Sequence, residues 1–321
     1  MSRRGAWAEM RSTGGQIVVT FTAKVAVNTQ RLIELSYLSD FSDMKLINRK
    51  STTMTAKDND EDVQYIIKGD AFVYSGKTPI AGIVKSINVQ NDNVSQYKLK
   101  HLSIDVTDMD HYFSGNVNKL MQKIFEGKDS ITGSDENDVL YGYGGQDVIL
   151  GQKGADIING GDKADTIKGG NGGDTISGAK GSDTLKGGNG NDTISGGKGG
   201  DEINGGAGND TLTGNKGFNT FIFNTALNES TNVDTITDMT PGGDAIDLDK
   251  DIFTELPSKG VLKKNAFEIG SEATSGSVRI VYDDGSGNMY YDPDGNGGDP
   301  QTLFAVLDTG LALSNTDFFV I

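Results

Sequence analysis

Between Lys128 and Gly217 one large aliphatic residue recurs at every ninth position: Ile131, Leu140, Ile149, Ile158, Ile167, Ile176, Leu185, Ile194, Ile203 and Leu212. A helix repeats its faces every 3.6 residues and a strand every 2, so neither alone gives this spacing. It marks a structural repeat whose unit is nine residues. Two residues ahead of each aliphatic stands an aspartate: Asp129, Asp138, Asp147, Asp156, Asp165, Asp174, Asp183, Asp192, Asp201 and Asp210. Glycines fill most positions before it, and the best copies, Gly169–Ser177 and Gly187–Ser195, read Gly-Gly-x-Gly-x-Asp-x-U-x with U large and apolar. Glycine admits positive φ, so the first six residues predict a tight turn. The last three, often Asp-Thr-Ile, predict a very short strand with one residue pointing inward.

One aliphatic side chain per nine residues makes a thin core, while ordering glycine-rich backbone costs about 1 to 2 kcal/mol per residue. Burial alone does not hold such a stack together. Aspartates in register repel one another unless cations lie between them, and carboxylates with turn carbonyls are hard oxygen donors that select calcium. The array resembles the RTX (repeats-in-toxin) family, whose members wind a parallel β-roll with two nonapeptides per turn and calcium between turns. The resemblance implies ligand partners eighteen residues apart, with Asp147, Asp165, Asp183 and Asp201 on one edge and Asp138, Asp156, Asp174, Asp192 and Asp210 on the other. It also implies carbonyl ligands at the second and fourth repeat positions, namely Gly170 and Gly172, Gly188 and Gly190, Gly197 and Gly199, and Gly206 and Gly208.

Several copies depart from the pattern. Glu136 and Lys163 replace the fourth-position glycine, and Gln152 and Ala179 the second. Their carbonyls serve as ligands only if the turn survives. Asp129 lacks the earlier glycine pair and Asn219 stands where the next aspartate is due, so these mark the two ends of the array. A disordered glycine and aspartate linker fits the composition but not the fixed aliphatic position.

The flanks read differently. Residues 1–15 are expected to be disordered, and residues 16–127 to form a β-rich domain ending in a helix. Ile17–Val27, Val63–Lys68, Ala71–Tyr74 and Ile83–Val89 have strand character, separated by turn signals at Lys68–Asp70, Ser75–Pro79 and Asn91–Asn93. Lys57–Asp62 reads as an acidic surface loop. From Thr107 to Phe125 the period becomes helical, with Phe113, Val117, Leu120, Met121 and Ile124 on one face. That helix either covers the open end of the roll or belongs to the N-terminal domain. Residues 218–321 resemble the cap that follows RTX rolls. There Phe218–Phe223 places aromatics inward, Asp234–Asp238 and Asp244–Asp249 alternate as half-buried strands, and Ser277–Tyr282 pairs with Asn288–Tyr291 as a hairpin. The expected class is therefore dominated by β structure: a calcium-dependent parallel roll at 128–217 between an N-terminal β domain and a β-rich cap.

Charge sharpens this picture. The first 127 residues carry 16 basic and 14 acidic side chains, while the remainder carries 13 and 31. So acidic a chain argues against nucleic acid and anionic membrane as partners and for cation binding. There is no cysteine, hence neither disulfides nor thiolate metal sites. No apolar run reaches the roughly 20 residues of a membrane helix, and Met1–Gly15 lacks the apolar core of a secretory signal. The terminal Asn315–Ile321 sets one acidic residue before four apolar ones, resembling the uncleaved signal that RTX proteins present to a type I ABC transporter. A last β-strand is the plainer reading of the same residues.

Other candidates are weaker. Asp292, Asp294 and Asn296 with Gly297 follow the start of an EF-hand loop, but position 12 is Leu303 and no flanking helix is evident. His101 and His111 have no third ligand spaced to join them, and neither His-Glu-x-x-His nor Gly-x-Ser-x-Gly occurs. The expectation is a secreted, extracellular or surface-associated, non-enzymatic calcium-binding protein with an adhesion or matrix role. Its partners would be calcium, the exporter and an extracellular polysaccharide or cell surface. An N-terminal polysaccharide-modifying enzyme is the alternative. A toxin ranks lower because no membrane-active segment precedes the repeats.

Overall fold

The computed structural model describes residues 7–13, 16–22, 45–50, 53–57, 63–75, 78–91, 94–105, 127–133, 135 and 137–321, the first seven stretches as backbone strands. It divides into two compact units, Met1–Lys153 and Gly154–Ile321. The second runs without a break through the expected boundary at 217/218. In each unit the repeats wind as a parallel β-roll.

In the first unit, Lys45–Lys50, Thr53–Lys57, Val63–Ser75, Thr78–Asn91 and Val94–Asp105 form a five-stranded antiparallel meander in chain order. Val63–Ser75 is one strand rather than two. The Lys68–Asp70 turn signal is instead a register shift at Lys68/Gly69, the bulge that an interior glycine marks. The expectation of disorder over residues 1–15 is corrected by Trp7–Thr13, which pairs antiparallel with Gln16–Thr22. The alternation of Trp7, Glu9 and Arg11 with smaller residues is too weak a pattern to have shown this strand.

Gln16–Thr22 in turn pairs in parallel with the first roll strand, Ser130–Thr132, setting Phe21 opposite Ile131. A hairpin thus lies along the outer edge of that first roll strand. The expected 107–125 helix, His111, the 58–62 loop, Ala23–Val27 and Glu136 lie outside the described residues.

In the second unit the repeat strands, such as Thr175–Lys180 and Thr184–Asn189, are six residues long, not three. Each begins just after the aspartate and continues through the first three positions of the next copy. Alternate copies stack in separate sheets, with Ile158, Ile176, Ile194 and Leu212 opposite one another in one and Ile167, Leu185 and Ile203 in the other. Every one of these aliphatics is at most 1% exposed.

The C-terminal residues extend the same two sheets. Thr220–Phe223, Ala245–Leu248 and Phe318–Val320 add in parallel to one, and Asp234–Ile236 and Thr302–Val306 to the other. The Ile280–Asp283 and Asn288–Tyr291 hairpin forms as expected, in register Ile280 to Tyr291. The inward column continues through Phe221, Ile246 and Phe318 and through Ile236, and an aromatic cluster forms besides: Phe253 meets Phe304 and Tyr291 edge-on, and Phe223 meets Phe304, all at 5.2 Å between ring centroids. Phe221 and Phe223 point inward, but Phe218 is 77% exposed, contrary to expectation. It fills the turn position just ahead of Asn219, where the repeats carry small or polar residues.

Candidate metal centre

Burial alternates along most repeat strands, so that Ile176 and Gly178 of Thr175–Lys180 face inward while Thr175 and Lys180 face out, whereas in Glu202–Ala207 the four middle residues are all buried. Asp174, at the strand's entry, is buried too. The interior of the roll therefore consists of three columns: carboxylates, aliphatics and bare glycines. All the aspartates expected as ligands, Asp138, Asp147, Asp156, Asp165, Asp174, Asp183, Asp192, Asp201 and Asp210, are at most 2% exposed.

Each carboxylate uses one oxygen in a ladder. Oδ1 of Asp174 accepts the Asp156 amide at 2.8 Å, Oδ1 of Asp192 the Asp174 amide at 2.7 Å, and Oδ1 of Asp210 the Asp192 amide at 2.8 Å. Asp183 and Asp201 accept in the same way from Asp165 and Asp183, at 2.8 and 2.9 Å. The second oxygen is the chemically telling one. Oδ2 of Asp174, Asp183, Asp192, Asp201 and Asp210 is buried with no hydrogen-bond donor. A buried carboxylate oxygen left without a donor is costly unless a proton or a cation reaches it.

Burial also disfavours the charged form of these carboxyls. Desolvation raises the carboxyls of Asp174 and Asp201, pushes Asp183 up to about 6, and pushes Asp192 up to about 7, where Asp210 and Asp174 add repulsion.

The first-position glycine is what makes room for Oδ2. A Cβ built on Gly169, Gly178, Gly187 or Gly196 would overlap Oδ2 of Asp174, Asp183, Asp192 or Asp201. At Gly169 it would also come within 2.8 Å of the Gly187 carbonyl. Carboxylate and carbonyl oxygens thus converge beside a bare Cα.

At the second and fourth positions the expected carbonyl donors, Gly170, Gly172, Gly188, Gly190, Gly197, Gly199, Gly206 and Gly208, all have positive φ, between 107° and 140°. Substituted copies keep that conformation, with Gln152 at 88°, Lys163 at 77° and Ala179 at 75°. The turn therefore survives substitution. Carbonyls point along the stack, so that a Cβ on Gly188 would meet the Gly170 oxygen and one on Gly190 the Gly172 oxygen. Gly206 differs, because its carbonyl accepts the Thr225 hydroxyl at 2.6 Å.

Among the described residues no three carboxylates or imidazoles cluster to hold an ion by side chains alone. An ion in the roll would draw on main-chain oxygens as well. One Oδ2 per turn plus carbonyls of the same and the next turn is an all-oxygen donor set, which fits a hard cation such as calcium.

In the sequence the nine-residue aspartate series ends at Asp210. The ladder goes on: Asp201 donates its amide to Asn219 Oδ1 at 3.1 Å, Asn219 to Asp244 at 2.8 Å, and Asp210 to Asp234 at 3.1 Å. Asp234-Thr235-Ile236 and Asp244-Ala245-Ile246 carry the same aspartate–x–aliphatic triplet as the repeats. That signal was present, but insertions that lengthen the step from 18 to 24 or 25 residues hid it.

The Asp292–Gly297 loop is engaged with itself. Asp292 Oδ1 accepts the Gly295 and Asp294 amides at 2.7 and 3.2 Å, and Asp294 Oδ2 accepts those of Gly298 and Asp299 at 2.8 and 3.2 Å. His101 lies in the Val94–Asp105 strand of the meander.

Comparison with known proteins agrees with the geometry. The family described as the RTX calcium-binding nonapeptide repeat matches residues 125–158, 150–185 and 186–221. Among solved structures, the R3 subunit of an Azotobacter vinelandii mannuronan C5-epimerase is 28% identical, over 50% of this chain and 79% of that one, with a TM-score of 0.21. An extracellular lipase of Serratia marcescens is 16% identical, over 61% of this chain and 40% of that one, with a TM-score of 0.22. Both likenesses are local. No curated protein matches the sequence. With its periodic aspartates, its two-sheet parallel roll and this family match, the chain carries an array of RTX calcium-binding nonapeptide repeats.

Proposed function

We propose that the chain is a secreted calcium-binding protein whose roll folds outside the cell after export by a type I ABC transporter, and that it works at a cell surface or in an extracellular matrix rather than as an enzyme. The observation that carries this reading is the column of buried Oδ2 atoms on Asp174, Asp183, Asp192 and Asp201, none of which receives a hydrogen bond. Extracellular calcium modules bind with dissociation constants of about 0.1 to 1 mM. Cytosolic calcium is far lower, so inside the cell the aspartates stay uncompensated and the glycine-rich chain stays open enough to be threaded through a channel. Outside, calcium removes the repulsion and binding becomes folding.

In this reading the terminal residues serve twice. Asn315–Ile321 is the export signal while the chain is unfolded, and then enters the fold as the Phe318–Val320 strand, with Asp317 buried and accepting the Gly242 and Ser314 amides at 2.7 Å. The surface partner would be an extracellular polysaccharide or the cell surface itself.

The test is secretion from a host given a type I exporter, in medium with millimolar calcium. The chain should reach the medium, and deletion of residues 315–321 should leave it inside at unchanged synthesis. Release that needs neither the exporter nor residues 315–321 would refute the export reading.

A further inference from the structure

The two edges of the roll end in different ways. Along the edge through Asp165, Asp183 and Asp201, the next ladder position is Asn219, which is 1% exposed. Its Oδ1 accepts the Asp201 amide at 3.1 Å, and that bond fixes which way the side-chain amide faces. Nδ2 must then lie where the aspartates carry their second oxygen. The space around the first-position glycines agrees: a Cβ on Gly214 would meet Asn219 Nδ2, whereas on Gly187, Gly196 or Gly205 it would meet Oδ2 of Asp192, Asp201 or Asp210. This Nδ2 donates to Asp244 Oδ1 at 3.1 Å. An NH2 group aimed at this point offers no electron pair to a metal and already answers the Asp244 carboxylate.

Along the other edge there is no such plug. Asp210 donates its amide to Asp234 Oδ1 at 3.1 Å, as each aspartate does to the next, although the step is 24 residues. Asp210 is 1% exposed and no amide or hydroxyl donates to its Oδ2; its carboxyl stands against that of Asp234, close enough for the two acids to share a proton when no cation is present. Asp234 is itself only 4% exposed.

We propose that the ion array ends at Asn219 on one edge, where a side-chain amide stands in for the metal, and on the other edge runs one site past the last repeat, to a calcium held between Asp210 and Asp234. This rests on the calcium-binding reading of the roll and extends it to a residue outside the matched repeats, which stop at 221. The consequence is structural as well as stoichiometric. Asp234 opens the Asp234–Ile236 strand, which joins Thr211–Lys216 to Thr302–Val306, so the added ion ties the last repeat to the C-terminal sheet.

Calcium bound per full-length chain, counted by native mass spectrometry at saturating calcium, tests both halves. Asp234→Asn should bind one ion fewer than the wild type, and Asn219→Asp one more. Asparagine at 219 already accepts the ladder bond, so Asp234→Asn keeps that bond, and near-ultraviolet circular dichroism reports whether the surrounding tyrosines stay ordered. An unchanged count in either variant would overturn the proposal. So would loss of the near-ultraviolet signal in calcium-saturated Asp234→Asn, which would make Asp234 a structural residue. A wild-type chain that binds no calcium would instead refute the calcium reading of the whole roll.

Discussion

Two kinds of glycine share each repeat, and they do different work. The second-position glycine supplies a positive φ, yet Tyr143, Gln152, Ala179 and Asn215 occupy that position at φ values from 65° to 88°. The first-position glycine, from Gly133 to Gly214, is never replaced, because its missing side chain is where the carboxylate sits. Gly187→Ala should therefore be severe. Its methyl group would overlap both Asp192 Oδ2 and the Gly205 carbonyl, so the calcium midpoint of folding should rise several-fold, read by far-ultraviolet circular dichroism. Ala179→Gly relieves a left-handed alanine and should stabilise the calcium-loaded roll by about 1 kcal/mol in urea unfolding.

The aspartates also set a pH dependence. The folded carboxyls of Asp183 and Asp192 lie near 6 and 7, above the ordinary 3.8, so the metal-free folded roll binds more protons than the open chain. Its stability should be fullest below about pH 4 and fall as pH rises through 6 to 7. In chelator, acidification should therefore raise the roll-like circular dichroism signal. With calcium the sense reverses, because protons compete for the same oxygens, and the calcium midpoint should rise as pH falls below about 6.

At the scale of elements, the strands gain little from any single residue and much from the stack. Ile176, Ile194 and Leu212 pack in line, each fully buried, and Ile194 has a neighbour on either side. Ile194→Ala should cost about 2 to 5 kcal/mol in the calcium-loaded state by urea unfolding, as for other buried aliphatics. Exposed Thr193→Ala, one residue away, should change stability by less than about 0.5 kcal/mol.

How far these elements could be read from sequence follows from their physics. The period of nine exposed the roll because every copy buries one aliphatic and one aspartate at fixed spacing. Strand length is not legible because glycine reads as turn in a sequence, whereas the first two positions of each copy continue the ladder, as Gly188 does opposite Gly170 and Gly206. Asp234 and Asp244 were seen as strand residues but not as members of the aspartate series, since the inserted segments break the period without breaking the register. The hairpin of Trp7–Thr13 with Gln16–Thr22 carried too little alternation to be read, and its place beside Ser130–Thr132 is a tertiary fact.

At the scale of the molecule, the interior of the roll sets a column of aliphatics beside a column of carboxylates. The carboxylates hold their ladder through Oδ1, and Oδ2 of Asp174, Asp183, Asp192 and Asp201 receives no hydrogen bond. In the proposed reading calcium supplies the positive partner for those oxygens, and its concentration decides whether the chain is open or wound. The C-terminal sheet continues the roll and adds the aromatic cluster of Phe223, Phe253, Tyr291 and Phe304.

The most direct test is far-ultraviolet circular dichroism of the purified chain titrated with calcium from micromolar to ten millimolar, with magnesium as the control. The account predicts a cooperative gain of β signal with calcium alone, strongly weakened in an Asp174→Ala, Asp192→Ala double variant. A spectrum already native-like in chelator at neutral pH and unmoved by calcium would contradict it, because the buried carboxylates would then be stable without any cation.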